Sequence, residues 1–425
     1  MYNLKMKKFI FPLLGLLLAP APARAAAPCG GLEKAAAQLS ERVAERPRGL
    51  EQLFDKSLFA HISAEKLGAY LAGQYKANGP VVSTVLVSSD NACSGHFLLE
   101  TGRGYRLPAA ISLNPVTGRI SGLFFGTAYK KDLTLDAAVR QLKALPGKTG
   151  LLAMRLGEKP EAVAALNESE QFAAASAFKL YVLGALLENK VPWDKVLRLR
   201  SEDRSLPTGR LQDWPEGSPF TVHTLAALMI SESDNTAADT LISALGRRNI
   251  EAALPALGHS NPSLLRPFLR TSELFRLKAD SEKALKYMNL PAEEKYNFLE
   301  GLGQAPLSAA ALRLSPFGIE RLEWLISPAD LCRVMKYIAD KDDKAALDIL
   351  AMNPGLRLPP GAFLYAGYKG GGGPGVLSMT WLLKDLNSHW YCLSAVWNDE
   401  REKLDEAKFY AVMNGALAGL GSRGE

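Results

Sequence analysis

One segment of this 425-residue chain restricts its fold more than any other, a run of apolar residues that starts just after Ser176. Residues 178–187 read Phe-Lys-Leu-Tyr-Val-Leu-Gly-Ala-Leu-Leu, and Lys179 is the only charged residue among them. A helix that is apolar on nearly every side has to be covered on every side. The chain must therefore pack other elements all around this segment.

The rest of the pattern predicts two domains, as the length of the chain also suggests. Residues 26–145 contain helix formers and then short strands, which predicts a small α+β domain. Residues 146–425 start with two strands, continue with a long helical stretch, and end with three strands and a helix. This order predicts an α/β (α+β) sandwich, in which helices flank one antiparallel sheet beside an all-helical lobe. The predicted strands are 81–87, 96–99, 109–113, 119–125, 150–156, 161–166, 363–369, 377–384 and 389–397; helices are predicted over 135–145, as a connector between the domains, and over 402–417.

Residues 1–25 are interpreted as a signal peptide. A basic start is followed by a short apolar run over 9–18 and then by Ala23-Arg24-Ala25, which is typical of a cleavage site. The run is too short to span a bilayer. We therefore expect a periplasmic or secreted protein with no stable membrane insertion. Without the four basic residues of this segment the net charge falls from +6 to +2 (6 − 4 = 2), too little to indicate nucleic-acid binding.

The cysteines allow disulfides, whereas the histidines indicate no metal site. Cys29, Cys93, Cys332 and Cys392 can pair in three ways, and the sequence does not choose among them. The pairing considered first is Cys29 with Cys93, since both lie in the N-terminal part; Cys332 and Cys392 fit buried thiols in apolar surroundings. The five histidines never fall at ligand-like spacing and no CxxC occurs, so no metal and no cofactor is expected.

Three motifs in the second domain carry chemistry. They are Ser176-Ala-Phe-Lys179, Ser233-Asp-Asn235 and Lys369-Gly-Gly371. In the first motif, the serine starts the apolar helix and the lysine follows one turn later on the same face. Burial pushes a lysine toward its neutral form, and a neutral amine can accept the proton of a neighbouring hydroxyl.

Each motif also occurs a second time, so order and context must decide between the copies. The second copies are Ser63-Ala-Glu-Lys66, Ser89-Asp-Asn91 and Lys148-Thr-Gly150. The helix after Ser63 is ordinarily amphipathic, and only 26 residues separate Ser63 from Ser89. The Lys148 copy precedes the serine of the apolar helix and is expected in a turn or linker. The copies at 176, 233 and 369 are therefore the predicted site.

Together the three motifs resemble the S-x-x-K, S-D-N and K-[ST]-G set of class A β-lactamases and penicillin-binding proteins. Residues 114–125, Asn-Pro-Val-Thr-Gly-Arg-Ile-Ser-Gly-Leu-Phe-Phe, also resemble the closing strands of an NTF2-like, cone-shaped domain. The chain is thus similar to class A-like serine hydrolases with an N-terminal NTF2-like domain, such as the β-lactamase-like protein of clavulanic-acid biosynthesis clusters. Further support comes from the segments 229–238 and 326–331.

The resemblance implies roles for the first two motifs. Ser176 would attack a carbonyl carbon and form an acyl-enzyme. Lys179 would act as the base, and Ser233 would pass a proton toward the leaving nitrogen. Asn235 would contact Lys179 or the substrate amide.

It also implies roles for the third motif. Lys369 would supply positive charge for a substrate carboxylate and keep Lys179 neutral by repulsion. The backbone N–H groups of Ser176 and Gly372 would form the oxyanion hole, with Gly371 beside them in the substrate-binding strand.

The chain departs from the family pattern at two points. Gly370 lacks the hydroxyl that usually helps to hold a substrate carboxylate. The E-x-x-L-N loop that carries the deacylating glutamate of class A enzymes is missing, and Glu273 is the only nearby substitute. The segment Thr271-Ser-Glu273 is equally typical of a helix start.

The predicted function is therefore that of an exported serine hydrolase acting on β-lactam amides or on a related amide or ester. Its expected partner is a small β-lactam or peptide-like substrate. Two alternatives remain open at this point: a peptidoglycan D,D-peptidase, and a penicillin-binding sensor or scaffold that is acylated without turnover.

Overall fold

The computed structural model describes residues 29, 31–131, 134–303, 308–356, 358 and 361–421. The predicted signal peptide, residues 1–25, lies outside the described residues.

The first part of the chain forms helices and then strands, because residues 32–78 are rich in helix formers and residues 81–125 are rich in β-branched and aromatic residues. The elements are α1 (Leu32–Arg42), α2 (Leu50–Leu53), α3 (Lys56–Phe59), α4 (Ala64–Asn78), β1 (Val81–Asn91), β2 (Ser94–Thr101), β3 (Tyr105–Leu113), β4 (Ile120–Phe125) and β5 (Tyr129–Lys130).

These strands form one antiparallel sheet in the order β1-β2-β3-β4, with β5 paired to β3. Phe97, Ala109 and Phe125 are cross-strand neighbours on β2, β3 and β4. They are buried together with residues of the helices in a core that belongs to this part of the chain. The predicted α+β architecture of this part matches the observed one. The NTF2-like resemblance stays a prediction.

The remaining elements begin with a helix and two strands. They are α5 (Leu135–Lys143), β6 (Lys148–Arg155), β7 (Glu161–Leu166), β8 (Phe172–Ala173), α6 (Lys179–Glu188), β9 (Val196–Arg198), β10 (Pro219–Thr221), α7 (Val222–Ser231), α8 (Asn235–Leu245), α9 (Arg247–Ala253), α10 (Thr271–Ala279), α11 (Ser281–Asn289), α12 (Ala292–Glu300), β11 (Leu325–Ile326), α13 (Pro328–Lys341), α14 (Lys344–Ala351), β12 (Tyr365–Gly373), β13 (Val376–Lys384), β14 (Trp390–Asn398) and α15 (Glu406–Gly421).

The second sheet joins the two ends of this part of the chain. Its five antiparallel strands lie in the order β12-β13-β14-β6-β7, so that β12 is an edge strand. Helices cover both faces: α5 and α15 pack on one, and the helical lobe around α6 packs on the other. The predicted fold class, an antiparallel sheet flanked by helices beside an all-helical lobe, is confirmed.

The boundary between residues 145 and 146 stays a prediction, but the helix before it does more than connect. Leu135, Ala138 and Leu142 of α5 are buried in the core between the second sheet and α15. The helix therefore packs with the part of the chain that follows it. The sequence predicted a turn or linker at Lys148-Thr-Gly150, but these residues start β6. Thr149 is buried there, and its hydroxyl donates to the Leu142 carbonyl.

Two disulfides cross-link the chain. The expected pair Cys29–Cys93 is confirmed. Cys332 and Cys392 are fully buried, as predicted. The prediction that they are free thiols is wrong, because they form the second disulfide, between α13 and β14. The two cysteines are 60 residues apart in the sequence, and the contact between α13 and β14 brings them together. Disulfides indicate an oxidising environment.

Within the described ranges, no helix combines the length and the apolar character that crossing a bilayer requires.

Candidate active site

The predicted nucleophile, Ser176, lies in a short 3-10 helix (Ala175–Phe178) that leads directly into α6. Its neighbours Ala175, Ala177 and Phe178 are buried, whereas Ser176 itself is only half-buried. Ala175 has a φ of 43°, a left-handed conformation that costs a residue with a side chain about 1–3 kcal/mol. The strained turn therefore leaves the serine accessible on an otherwise buried segment.

Aromatic packing fixes this 3-10 helix from behind. The Phe178 ring stacks on Trp324 with ring centroids 3.7 Å apart. It also meets the edge of Phe268 at 5.8 Å. All three rings are buried in the core of the helical lobe. The position of Ser176 is thus set by contacts with two distant parts of the chain.

Lys179 is completely buried one turn after Ser176. Its Nζ donates to the Ser233 carbonyl (2.6 Å), the Ser233 hydroxyl (3.2 Å) and the Asn235 side-chain oxygen (2.7 Å). Burial lowers the pKa of Lys179 from 10.5 to about 7, although the negative charges of Asp234 and Asp239 oppose the shift. A substantial fraction of the lysine is therefore neutral near pH 7 and able to accept a proton.

Ser233 and Asn235 face Lys179 because a tight turn joins α7 to α8. Ser233 has a φ of 56° and is half-buried, and Asp234 caps α8 by accepting from the Ala237 N–H. The other carboxylate oxygen of Asp234 accepts from the backbone N–H groups of Arg210 (2.8 Å) and Leu211 (3.0 Å). Asp234, to which the sequence assigned no role, thus holds the turn in place.

The loop between β9 and β10 contacts Ser233 and Asn235 as well. Thr208 donates its hydroxyl proton to the Ser233 carbonyl at 2.7 Å. The Asn235 amide nitrogen donates to the Leu206 carbonyl at 2.9 Å. The Asn235 oxygen therefore points toward Lys179, because its amide group is oriented from the other side.

Lys369 lies on the edge strand β12 and reaches the same serine. Its Nζ donates to the Ser233 hydroxyl (3.1 Å) and to the Gly370 carbonyl (2.6 Å). Burial lowers the pKa of Lys369 well below its usual value, and the positive charge of Lys179 lowers it further. Two lysines thus converge on one hydroxyl. Burial was predicted from the sequence to favour neutral Lys179, and the resemblance added repulsion by Lys369; burial is the main cause of the lowered pKa.

The glycines of the third motif bring β12 against the serine helix. A Cβ atom on Gly371 would lie 2.5 Å from the Ser176 backbone nitrogen and 2.4 Å from the Ala174 carbonyl oxygen. Only glycine permits this approach. Gly372 follows as an exposed residue of the same strand. The predicted oxyanion donors are therefore on neighbouring segments, and their role stays a prediction.

Glu273 lies in a different environment from the one a general base needs. It is buried in the first turn of α10, where one carboxylate oxygen accepts from the Arg270 backbone N–H at 2.8 Å. The other oxygen accepts from the guanidinium groups of Arg247 (2.6 Å) and Arg270 (3.1 Å). These contacts favour the helix-start interpretation of residues 271–273 and leave Glu273 no evident capacity to activate water.

Asp239 is a buried carboxylate near the site that the sequence analysis missed. It lies one turn after Asn235 on α8 and accepts from the backbone N–H groups of Thr271 (2.7 Å) and Ser272 (2.8 Å). Burial raises its pKa to about 6. The spacing of four residues from Asn235 was the only sequence signal for it.

The chain belongs to the β-lactamase enzyme family, whose model matches residues 134–353. It is similar to the crystal structure of a β-lactamase from Sphaerobacter thermophilus, with 18% identity and a TM-score of 0.48 over 67% of this chain and 95% of that one. A β-lactamase from Francisella tularensis is similar with 16% identity and a TM-score of 0.47, over 68% of this chain and 98% of that one. PBP-A in an acyl-enzyme complex with penicillin G is similar with 17% identity and a TM-score of 0.47, over 68% of this chain and 96% of that one. No curated protein sequence matches the chain significantly.

Proposed function

We propose that this protein is an exported serine hydrolase that forms an acyl-enzyme on Ser176 with β-lactam amides or a related amide or ester. The observation that carries the proposal is the environment of Lys179, a fully buried lysine with a pKa of about 7 one turn after an accessible serine. Activated nucleophiles of hydrolases depend on such a shifted partner.

In the proposed acylation step, the Ser176 oxygen attacks the carbonyl carbon of the substrate while its proton passes to neutral Lys179. The hydrogen bonds of Lys179 go to Ser233 and Asn235 rather than to Ser176. The amine therefore turns toward Ser176 when substrate is bound, as catalytic contacts often tighten only in the complex.

Cleavage of the amide bond then requires a proton on the leaving nitrogen. The Ser233 hydroxyl is bonded to both lysines, so it can donate its own proton to that nitrogen and take one from Lys179. The C–N bond breaks, an ester to Ser176 remains, and Lys179 is neutral again. The N–H groups of Ser176 and Gly372 stabilise the oxyanion, a contribution of about 10²–10³ in rate for each donor.

Hydrolysis of the ester is proposed to be the slow step. Water has to be deprotonated near the acyl group, and residues 262–272 contain no acidic side chain. Glu273 is occupied by Arg247 and Arg270. Loss of a general base reduces a rate by about 10²–10⁴. This favours, as a second candidate function, a sensor or scaffold that is acylated without turnover.

Export is part of the proposal. It rests on the signal-peptide pattern of residues 1–25 and on the two disulfides, which are stable in a periplasmic or extracellular environment.

Stopped-flow measurement with a chromogenic cephalosporin tests the proposed function. A burst of one equivalent followed by slow turnover is the expected result. One equivalent with no later turnover would identify the sensor. Absence of both, together with no labelling by a fluorescent penicillin, would contradict the proposal.

A further inference from the structure

The last residues of β12 leave open space on the face of the strand that contacts the serine. Gly371 and Gly373 lie on this same face, because side-chain positions alternate along a strand. A Cβ atom on Gly371 would meet the Ser176 backbone nitrogen. One on Gly373 would have no atom of the described residues within 4 Å, apart from those of its chain neighbours. A substrate group that extends from Ser176 along this face therefore meets no side chain before the strand ends.

The proposed reaction gives the two ends of β12 different roles. Lys369 donates to the hydroxyl of Ser233, which is proposed to protonate the leaving nitrogen. Gly372 is proposed to donate to the carbonyl oxygen. The strand then ends at Gly373, and a turn leads to Val376 at the start of β13. The acyl part of the substrate lies on the other side of the carbonyl from the leaving nitrogen, so it extends toward this turn.

A segment from another part of the chain lies beside the turn. A Cβ atom on Gly375 would lie 2.9 Å from the Cβ atom of Pro316, so Pro316 contacts the turn directly. Three residues later, Ile319 is buried in a small cluster with Ala175 and Val376. The segment is therefore packed against both the turn and the residue that precedes the serine.

Leu314 is the exposed apolar side chain of this segment, with 64% of its surface accessible. Two residues span at most about 7 Å, so Leu314 lies close to Pro316 and to the turn. The segment is anchored on its other side. The Arg313 guanidinium stacks on the Phe317 ring at 4.1 Å and donates to the Ser281 hydroxyl at 2.9 Å. Leu314 is thus held beside the end of β12 toward which the acyl group extends.

We propose that Leu314 and Pro316 bind an apolar side chain on the acyl part of the substrate. The proposal rests on the proposed function and names the substrate class, amides or esters whose acyl group carries an aryl or bulky alkyl group. Contact with such a group removes apolar surface of both partners from water. The glycines at 371 and 373 leave the path from Ser176 to this contact unobstructed.

The test compares two penicillins that differ by one phenyl ring, benzylpenicillin and its acetamido analogue. Leu314→Ser removes the apolar contact. The second-order acylation rate constant for benzylpenicillin should fall about threefold to tenfold, the range for losing part of a leucine contact. The rate constant for the acetamido analogue should change by less than about twofold.

Leu364→Ser is the matched control. Leu364 has a similar exposure, 59%, and directly precedes β12 at the end where the leaving group is proposed to lie. This variant should leave the ratio of the two rate constants unchanged.

The ratio of the two rate constants is independent of the folded fraction of each preparation, so partial unfolding of a variant does not obscure the outcome. An unchanged ratio in Leu314→Ser would overturn the assignment, as would an equal change in Leu364→Ser. A wild-type protein that reacts equally fast with both penicillins would overturn it too. If the wild-type protein reacts with neither compound, the proposed function itself fails.

Discussion

The pattern Ser-x-x-Lys occurs at residues 63–66 and again at residues 176–179, and the two copies have different environments. Ser63 is exposed and caps α4 by accepting from the Lys66 backbone N–H at 3.2 Å. Lys66 is exposed as well. Lys179, in contrast, is fully buried and donates its hydrogen bonds to Ser233 and Asn235.

The residues around the motif, rather than the motif itself, create a reactive pair. Ala177, Phe178 and the apolar residues of α6 exclude water from Lys179, which lowers its pKa to about 7. The residues around Lys66 do not exclude water.

The largest expected effect is that of removing the proposed nucleophile. Ser176→Ala should abolish labelling by a fluorescent penicillin, a loss of at least about 10³ in acylation rate. The matched variant Ser63→Ala should be labelled like the wild-type protein. Mass spectrometry of the labelled peptide locates the adduct. An adduct on Ser63, or labelling that survives Ser176→Ala, would refute the assignment.

The lysine substitutions should follow the same contrast. Lys179→Arg retains a positive charge but cannot release its proton, so its acylation rate should fall about 10²–10⁴-fold, as in Lys179→Ala. Lys66→Arg and Lys66→Ala should leave the acylation rate unchanged. Retention of most activity in Lys179→Arg would show that Lys179 has an electrostatic or structural role and does not act as a base.

Glu273 should be important for stability and unimportant for deacylation. Glu273→Gln weakens a buried ion pair with Arg247 and Arg270, and it should lower the free energy of unfolding by about 3 kcal/mol. Glu282→Gln, an exposed first-turn residue of α11, should cost less than about 0.5 kcal/mol. Denaturant unfolding measures both. A selective loss of steady-state turnover in folded Glu273→Gln would instead identify the deacylating base.

The smallest effect is expected at the exposed copy of the motif. Ser63→Ala removes the cap of α4 and should lower the free energy of unfolding of the N-terminal part by about 1 kcal/mol. Acylation of Ser176 should not change. A much larger loss would mean that Ser63 has contacts beyond its role as a cap.

Much of the fold could be predicted from the sequence because it depends on local patterns. The alternation and turn signals over residues 81–125 and 363–397 gave strands that the structure contains, and the apolar run after Ser176 gave a buried helix. The structure also brings the chosen copies of the three motifs together, since Lys179 and Lys369 both donate to the Ser233 hydroxyl. The catalytic roles of these residues stay a prediction.

The remaining features depend on contacts between distant residues. The Arg247 partner of Glu273 lies 26 residues away, and nothing in the local sequence reveals it. The bond between Cys332 and Cys392 and the contact of Gly371 with Ser176 likewise need the folded chain. The departure at Gly370 was visible in the sequence, but its packing, in which a Cβ atom would lie 2.0 Å from the Tyr368 hydroxyl, was not.

The pH dependence of acylation is the decisive measurement, because burial is proposed to supply neutral Lys179 near pH 7. Below its folded-state pKa of about 7 the amine is protonated and cannot act as a base. The acylation rate constant with benzylpenicillin should therefore rise about tenfold from pH 6 to pH 8. A rate constant that is flat or falling over this range would show that neutral Lys179 is not the base.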